Sequence, residues 1–337
     1  MAAAICVLIS HSYPLSGNPG LDPLANIIPL TLGEVSVLLF FAISGFLIAK
    51  SYETRRSLTE FATARVLRIY PGLFVALVFC AFVVGPVCTV LPLSQYFGRH
   101  VLTFVPDELT LVRMRDGLPG VFLNNPYPVA INGSLWTLYY EVACYIFVTL
   151  VGLAGMLRTR RFAWCLLVYS GIYAIARIKY GFTGSTGSYL DLTLPFALGT
   201  GLYVYRARIV LSAAVFGAFL LATVLLRHTT CYREAIVLTV VYGTFWLGFA
   251  GWSPLHAYNR LGDYSYGTYI FAFPIQQTLA HFLPGISGPQ MIALALPCTL
   301  LFAVTSWHYI EHPILNRRRS ISKALEIQIG RLTQSLA

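Results

Sequence analysis

Few side chains in this sequence can do chemistry, and they are spaced along it one or two at a time. His11 stands in Ile9-Ser10-His11-Ser12-Tyr13-Pro14. An imidazole titrates near neutral pH and is the usual general base; a histidine at a helix end also serves as a plain interfacial hydrogen-bonding group. Arg65 and Arg68 are three residues apart in Arg65-Val66-Leu67-Arg68-Ile69-Tyr70-Pro71, which puts both guanidinium forks on one helical face. Such a pair suits bidentate contact with a polyphosphate, and it equally suits positive charge laid against lipid headgroups. Glu141 follows Trp136, Tyr139 and Tyr140 inside an apolar run. A carboxylate at that depth needs a histidine, an arginine or a water-filled cavity, or else it snorkels outward beside an aromatic belt. Asp263 reads as a helix N-cap. Glu311 lies where the last apolar run meets the cytoplasm and can pair with Arg65 or Arg68. His308 and His312 flank it at metal-ligand spacing, but without further ligands no metal site is expected.

The elements that position these groups follow from composition. Apolar residues make up 57 % of the 337 and charged residues 11 %. A soluble domain carries roughly a quarter charged residues, so a soluble globule is excluded, and disorder is excluded with it. The expected fold is all-α, a polytopic membrane bundle of about ten helices. The spans fall near 1–12, 34–50, 71–92, 135–156, 162–179, 190–205, 209–226, 234–252, 264–283 and 290–310, the first incomplete. The alternation of an outer-membrane barrel is absent. Residues 51–70 read as an amphipathic interfacial helix, with Leu58, Phe61, Ala62, Arg65, Val66 and Ile69 at helical spacing, ended by Pro71. The long connection 93–134 carries Asp107, Glu108 and Asp116 and is placed to cover or line a site. The domain reading is one membrane domain, 1–316, followed by a basic cytoplasmic tail, 317–337.

The net charge is +10. With the N-terminus cytoplasmic, most of the 23 lysines and arginines, including Arg317, Arg318 and Arg319, face inward. Both termini are therefore expected in the cytoplasm, and nucleic-acid binding is not expected. The seven cysteines form no CxxC and read as packing residues. No Walker loop, GxGxxG or GxSxG is present. A secondary transporter or flippase of a glycan or related small molecule is the alternative reading; it predicts inverted repeats, which the sequence lacks.

Six strings occur in one order: His11 near the end of a first span, Phe40-Phe41-Ala42-Ile43-Ser44-Gly45-Phe46-Leu47-Ile48, Arg65 through Arg68-Ile69-Tyr70-Pro71, Ser134-Leu135-Trp136 with Glu141, Gly262-Asp263-Tyr264-Ser265-Tyr266 with Tyr269, and Glu311 with Pro313. Together they resemble the membrane-bound acyltransferase-3 family of bacterial surface-glycan O-acetyltransferases. The resemblance implies acetyl-CoA, or another acyl-CoA, as a co-substrate from the cytoplasm, with no tightly bound cofactor. It implies a sugar hydroxyl on a lipid-linked or exported glycan as acceptor, and a multi-pass place in the bacterial inner membrane, in contact with its lipid. His11 matches the family histidine, and Arg65 and Arg68, with Tyr70 beside them, the arginine pair expected near the CoA phosphates. Trp136 and Glu311 match further positions of the pattern. On this reading His11 is the general base, oriented by Glu141, with Glu311 in the catalytic set. Ser44, Tyr139 or Trp136 would donate to the developing oxyanion. The pattern also implies an arginine upstream of the histidine. Its position precedes Met1, so an arginine and an apolar run are expected from in-frame codons before the start.

Overall fold

The computed structural model describes residues 1–55, 57–112, 117–181, 184–249 and 262–336. Asp116 of the long connection lies outside them. Each expected apolar run is a helix: α1 Ala2–Leu15, α2 Leu32–Thr54, α3 Leu58–Phe79, then after a short amphipathic α4, Arg99–Leu109, α5 Trp136–Leu153, α6 Thr159–Tyr180, α7 Gly184–Val204, α8 Ala213–Leu225, α9 Tyr232–Phe249, α10 Ser265–Phe282 and α11 Gly288–Ser306. Five are long and apolar enough to cross a membrane: α2, α3 and α11 with their continuations, α5 and α6. No strand occurs among the described residues, only an isolated bridge between Thr89 and Val121. The protein is a helical membrane bundle.

The expected break at Pro71 is absent. One helix starts at Ser57, whose hydroxyl accepts from Glu60 N at 3.0 Å, and runs through Pro71 without interruption. Ending a helix in hydrocarbon strands several backbone groups, whereas a proline inside it strands one. Tyr266 adds a donor beside the proline, its hydroxyl 2.8 Å from the Ile69 carbonyl.

Helix α3 continues as a π turn, Cys80–Val84, and an α turn, Gly85–Cys88; α11 does the same through Trp307–Glu311 and His312–Asn316. Each π turn ends two residues before a proline, Pro86 and Pro313, which lacks the N–H that regular α bonding requires. In the first, the Tyr96 hydroxyl donates to the Ala81 carbonyl at 2.7 Å. Burial pushes the pKa of that phenol up, which keeps the donated proton in place. The residues expected as a basic tail form a helix, α12 Arg318–Leu336, held to the start of α3 by a bond from Ser57 to Glu326.

Two compact units divide the chain: Met1–Gly33 with Arg55–Tyr139 and Leu261–Ala337, and Glu34–Thr54 with Tyr140–Arg260. In the first, α1 and α10 run parallel. Met1 meets Thr268, Leu8 and Ser12 meet Gln276, and Leu15 packs with Phe273 and Ala280. Both were expected to cross in the same direction. In the second unit, one end gathers Glu34, Arg177, Asp191, Arg233 and Glu234. Arg233 grips Asp191 with two bonds of 2.8 Å. The other end joins Glu53 to Tyr203 and Arg206, and Tyr205 to the Thr159 carbonyl. These are the ends that alternate crossing brings to a common side.

Helices α2 and α7 cross glycine on glycine. A Cβ on Gly45 would lie 2.1 Å from the Phe196 carbonyl oxygen, and one on Gly199 would lie 1.9 Å from that of Ala42. Close backbone approach of this kind drives helix association in lipid. Gly199→Val is expected to force the pair apart at a cost of about 3 kcal/mol. A drop in melting temperature in detergent, with loss of the monodisperse peak on size exclusion, checks this.

Candidate functional site

His11 lies on the face of α1 that packs against α10, with Leu8, Ser12 and Leu15 at the helical spacings around it. Its ring is half-buried and meets Phe273 edge-on, with centroids 5.4 Å apart. Nδ1 is enclosed and has no hydrogen-bond partner among the described residues. Gln276, fully buried one turn further along α10, fixes the backbone on either side. Its Nε2 donates to the Leu8 carbonyl and to Ser12 Oγ, both at 2.7 Å. Its Oε1 is also enclosed and without a partner among the described residues, as is Ser134 Oγ. Ser134 follows Gly133, where a Cβ would lie 2.7 Å from the Phe273 ring. Buried polar atoms are nearly always bonded, so three exceptions around one turn of α10 mark a place able to take a hydroxyl group. Behind His11, the buried Asp22 accepts from Ser10 Oγ and from Leu24 N and Leu32 N, which folds the following loop onto α1.

The second cluster lies at the start of α10. Arg68 Nη2 is 2.5 Å from Asp263 Oδ2 and Nη1 is 3.7 Å from Glu311 Oε2, and its guanidinium lies over the rings of Tyr266 and Trp307. Glu311 is 1 % exposed and accepts from Ser306 Oγ at 2.8 Å, whereas the Asp263 side chain is 48 % exposed. The π turn carries both Trp307 and Glu311 to Arg68, and Gly72 makes room, since a Cβ there would meet Tyr266 at 2.8 Å and the Glu311 carboxyl at 3.4 Å. Of the two arginines offered as partners of Glu311, Arg68 is the one that meets it. Asp263, expected as the N-cap, stands one residue before it: Tyr264 takes the cap position without a side-chain cap bond, while Asp263 Oδ1 lies 3.3 Å from Ser265 N and its carboxylate takes Arg68. Arg65 is half-buried one turn earlier on α3; Tyr70 is half-buried and makes no hydrogen bond among the described residues.

Both clusters belong to the first unit and are strung along α10. From Tyr266 to Phe273 is about 10 Å of helix axis. Trp136 is exposed and Tyr139 half-buried at the start of α5. Ser44 and Glu141 belong to the second unit, where Glu141 Oε1 accepts from Ser44 Oγ at 3.0 Å and from the Tyr145 hydroxyl. The one proton of Ser44 is thereby directed at a carboxylate. An apolar cavity of about 300 Å³ in that unit, lined by Phe147, Val151, Phe162, Leu166 and Phe196, has no carboxylate, histidine, lysine or arginine among its described lining residues.

Sequence reasoning missed Phe273, Gln276 and Trp307. Gln276 and Gln277, adjacent polar residues in an apolar helix, carried a signal, because polar groups at membrane depth are costly unless bonded. Trp307 carried none, since its approach to Arg68 depends on the π turn.

A family model described as an acyltransferase domain matches residues 1–308. The chain is 29 % identical over 331 residues to an O-acetyl transferase of Shigella phage Sf6, covering 94 % of each chain. It is 27 % identical over 357 residues to nodulation protein 10 of Rhizobium leguminosarum bv. viciae, covering 95 % of this chain and 92 % of that protein. It is 28 % identical over 311 residues to the exopolysaccharide production protein ExoZ of Rhizobium meliloti, covering 86 % of this chain and 92 % of the relative. No solved structure matches the chain significantly.

Proposed function

The chain belongs to the acyltransferase-3 family, and on that premise we propose that it transfers an acetyl or other short acyl group from acyl-CoA to a hydroxyl of a surface or lipid-linked glycan, with His11 as general base. The observation that carries this reading is the imidazole of His11, set edge-on against Phe273 while its enclosed Nδ1 bonds to no described residue. A thioester is already activated, so the protein has to align two substrates and take one proton. The acceptor oxygen attacks the thioester carbonyl as His11 takes its proton. The tetrahedral intermediate then expels the CoA thiolate, which takes back the proton held on His11, so the imidazole is neutral again. No protein nucleophile is needed. Catalysis would take place in the inner membrane, with both termini and the CoA phosphates on the cytoplasmic side; the parallel course of α1 and α10, with Arg68 at the α10 start, supports that placement.

Arg68 and Arg65 would hold the CoA phosphates. Arg68 has two carboxylate partners, and burial separates their roles. The pair with half-exposed Asp263 is weak and replaceable, whereas buried Glu311 orients the guanidinium. Asp263→Asn is therefore expected to change stability by less than about 1 kcal/mol and to lower the KM for acetyl-CoA, because a competitor for Arg68 is removed. Steady-state kinetics on membranes check the sign.

The reading is tested with membranes containing the chain, acetyl-CoA labelled in the acetyl group, and the lipid and glycan extract of a native-host strain lacking the gene. Label is expected in an alkali-labile ester on glycan. Glycan free of label at full protein expression contradicts the reading.

A further inference from the structure

The loop between Gly117 and Ser134 is more constrained than a connection needs to be. Phe122 and Val129 are held at φ 56° and 70°, a region that bulky and β-branched residues rarely enter. Each such residue costs about 1–3 kcal/mol and persists only where the surroundings over-determine it. They do so here. Val129 N donates to the Phe122 carbonyl at 3.2 Å. Gly117 passes so close that a Cβ would lie 2.4 Å from the Val129 oxygen. Asn125 Nδ2 donates to the Gln277 carbonyl and side chain at 2.9 and 2.7 Å, and Gln277 Nε2 donates to the carbonyls of Tyr127 and Ala130 at 2.7 and 2.9 Å. Pro126 rests against Gly17, just past the end of α1. Gln277 is fully buried and directly follows Gln276, so adjacent residues of α10 hold this loop and the helix of His11.

The side chain presented by this anchored loop is Tyr127. It is 47 % exposed although its backbone is locked, and its hydroxyl bonds to no described residue. Its ring meets Phe273 edge-on at 6.0 Å, and Phe273 in turn meets His11. Arg68, with Tyr266 and Trp307, lies two turns away toward the other end of α10.

We propose that residues 117–134 form the acceptor wall of the site and that a sugar ring of the acceptor stacks on Tyr127, which presents one of its hydroxyls to His11. The proposal rests on the acyl-transfer reading above and adds to it the acceptor's place and mode of contact. A pyranose has an apolar C–H face and a polar rim. An aromatic ring with an open face covers the first without desolvating the second. An interfacial tyrosine that only anchors a helix in the bilayer needs neither the backbone strain nor the glutamine lock.

The test uses the labelled acetyl-CoA assay, with the deletion-strain extract supplied at graded concentrations. Tyr127→Ala is expected to raise the extract concentration for half-maximal transfer about ten-fold, or 1.4 kcal/mol, while the KM for acetyl-CoA stays at the wild-type value. Tyr127→Trp is expected to restore acceptor affinity. A wild-type acceptor dependence in Tyr127→Ala overturns the proposal. So does an equal rise in the acetyl-CoA KM, which would mean that the loop had collapsed. Those results leave the acyl-transfer reading intact if the wild type labels glycan; a wild type that labels none overturns both.

Discussion

His11→Ala is expected to slow acyl transfer by about 10²- to 10⁴-fold, the range of a general base, and to leave the protein inserted and folded. The second half of that expectation follows from the surroundings of the ring. A histidine kept for structure has its nitrogens bonded, but His11 Nδ1 has no partner among the described residues, and the neighbouring turn is held by Gln276 through Leu8 and Ser12 instead. Truncation breaks no protein hydrogen bond at Nδ1 and gives up one edge-on contact with Phe273, worth about 0.5–1.5 kcal/mol beyond area burial. Transfer rates compared with melting temperature in detergent separate the two effects. A lost rate with an unchanged melting temperature is the expected pattern, and a parallel loss of both assigns His11 to packing.

At the start of α10 the largest effect is on stability. Arg68→Ala leaves the carboxylate of Glu311, 1 % exposed, with Ser306 as its one partner among the described residues. Breaking a buried pair from one side costs about 3–5 kcal/mol, most of it the uncompensated charge. Glu311→Gln in the same chain removes that charge, so the double variant is expected to be more stable than Arg68→Ala alone, and a double-mutant cycle reads the coupling directly. Melting temperatures of the four proteins check it. Equal losses in Arg68→Ala and in the double variant contradict the assigned contact. Arg65→Ala, which leaves this pair in place, is expected to raise the KM for acetyl-CoA with little change in melting temperature.

Much of this architecture was legible because a bilayer is a demanding solvent. Run length and apolarity place the expected spans other than α3 to within about six residues, and alternate crossing anticipates which ends meet, as Arg233 with Asp191 and Glu34 shows. Local punctuation was less reliable. Pro71 reads as a stop by its own chemistry, yet the surrounding hydrocarbon favours a continuous helix, and Tyr266 supplies a donor beside it. The ion pair between Arg68 and Glu311 was readable as opposite charges at one end of their helices. Its geometry was not, because it depends on a π turn and on the absence of a side chain at Gly72. Gln276 and Gln277 were visible as polar residues in an apolar helix, but their partners are hundreds of positions away for one and in the loop before α5 for the other.

The central claim is that binding and chemistry lie about 10 Å apart along one helix, the CoA phosphates at Arg68 by its start and the proton transfer at His11 by its middle. Equilibrium binding of labelled acetyl-CoA to purified His11→Ala protein tests it most directly. The account predicts a Kd equal to that of the wild type, with the bound thioester remaining intact when acceptor is added. Loss of acetyl-CoA binding in His11→Ala, or transfer at the wild-type rate, would contradict it.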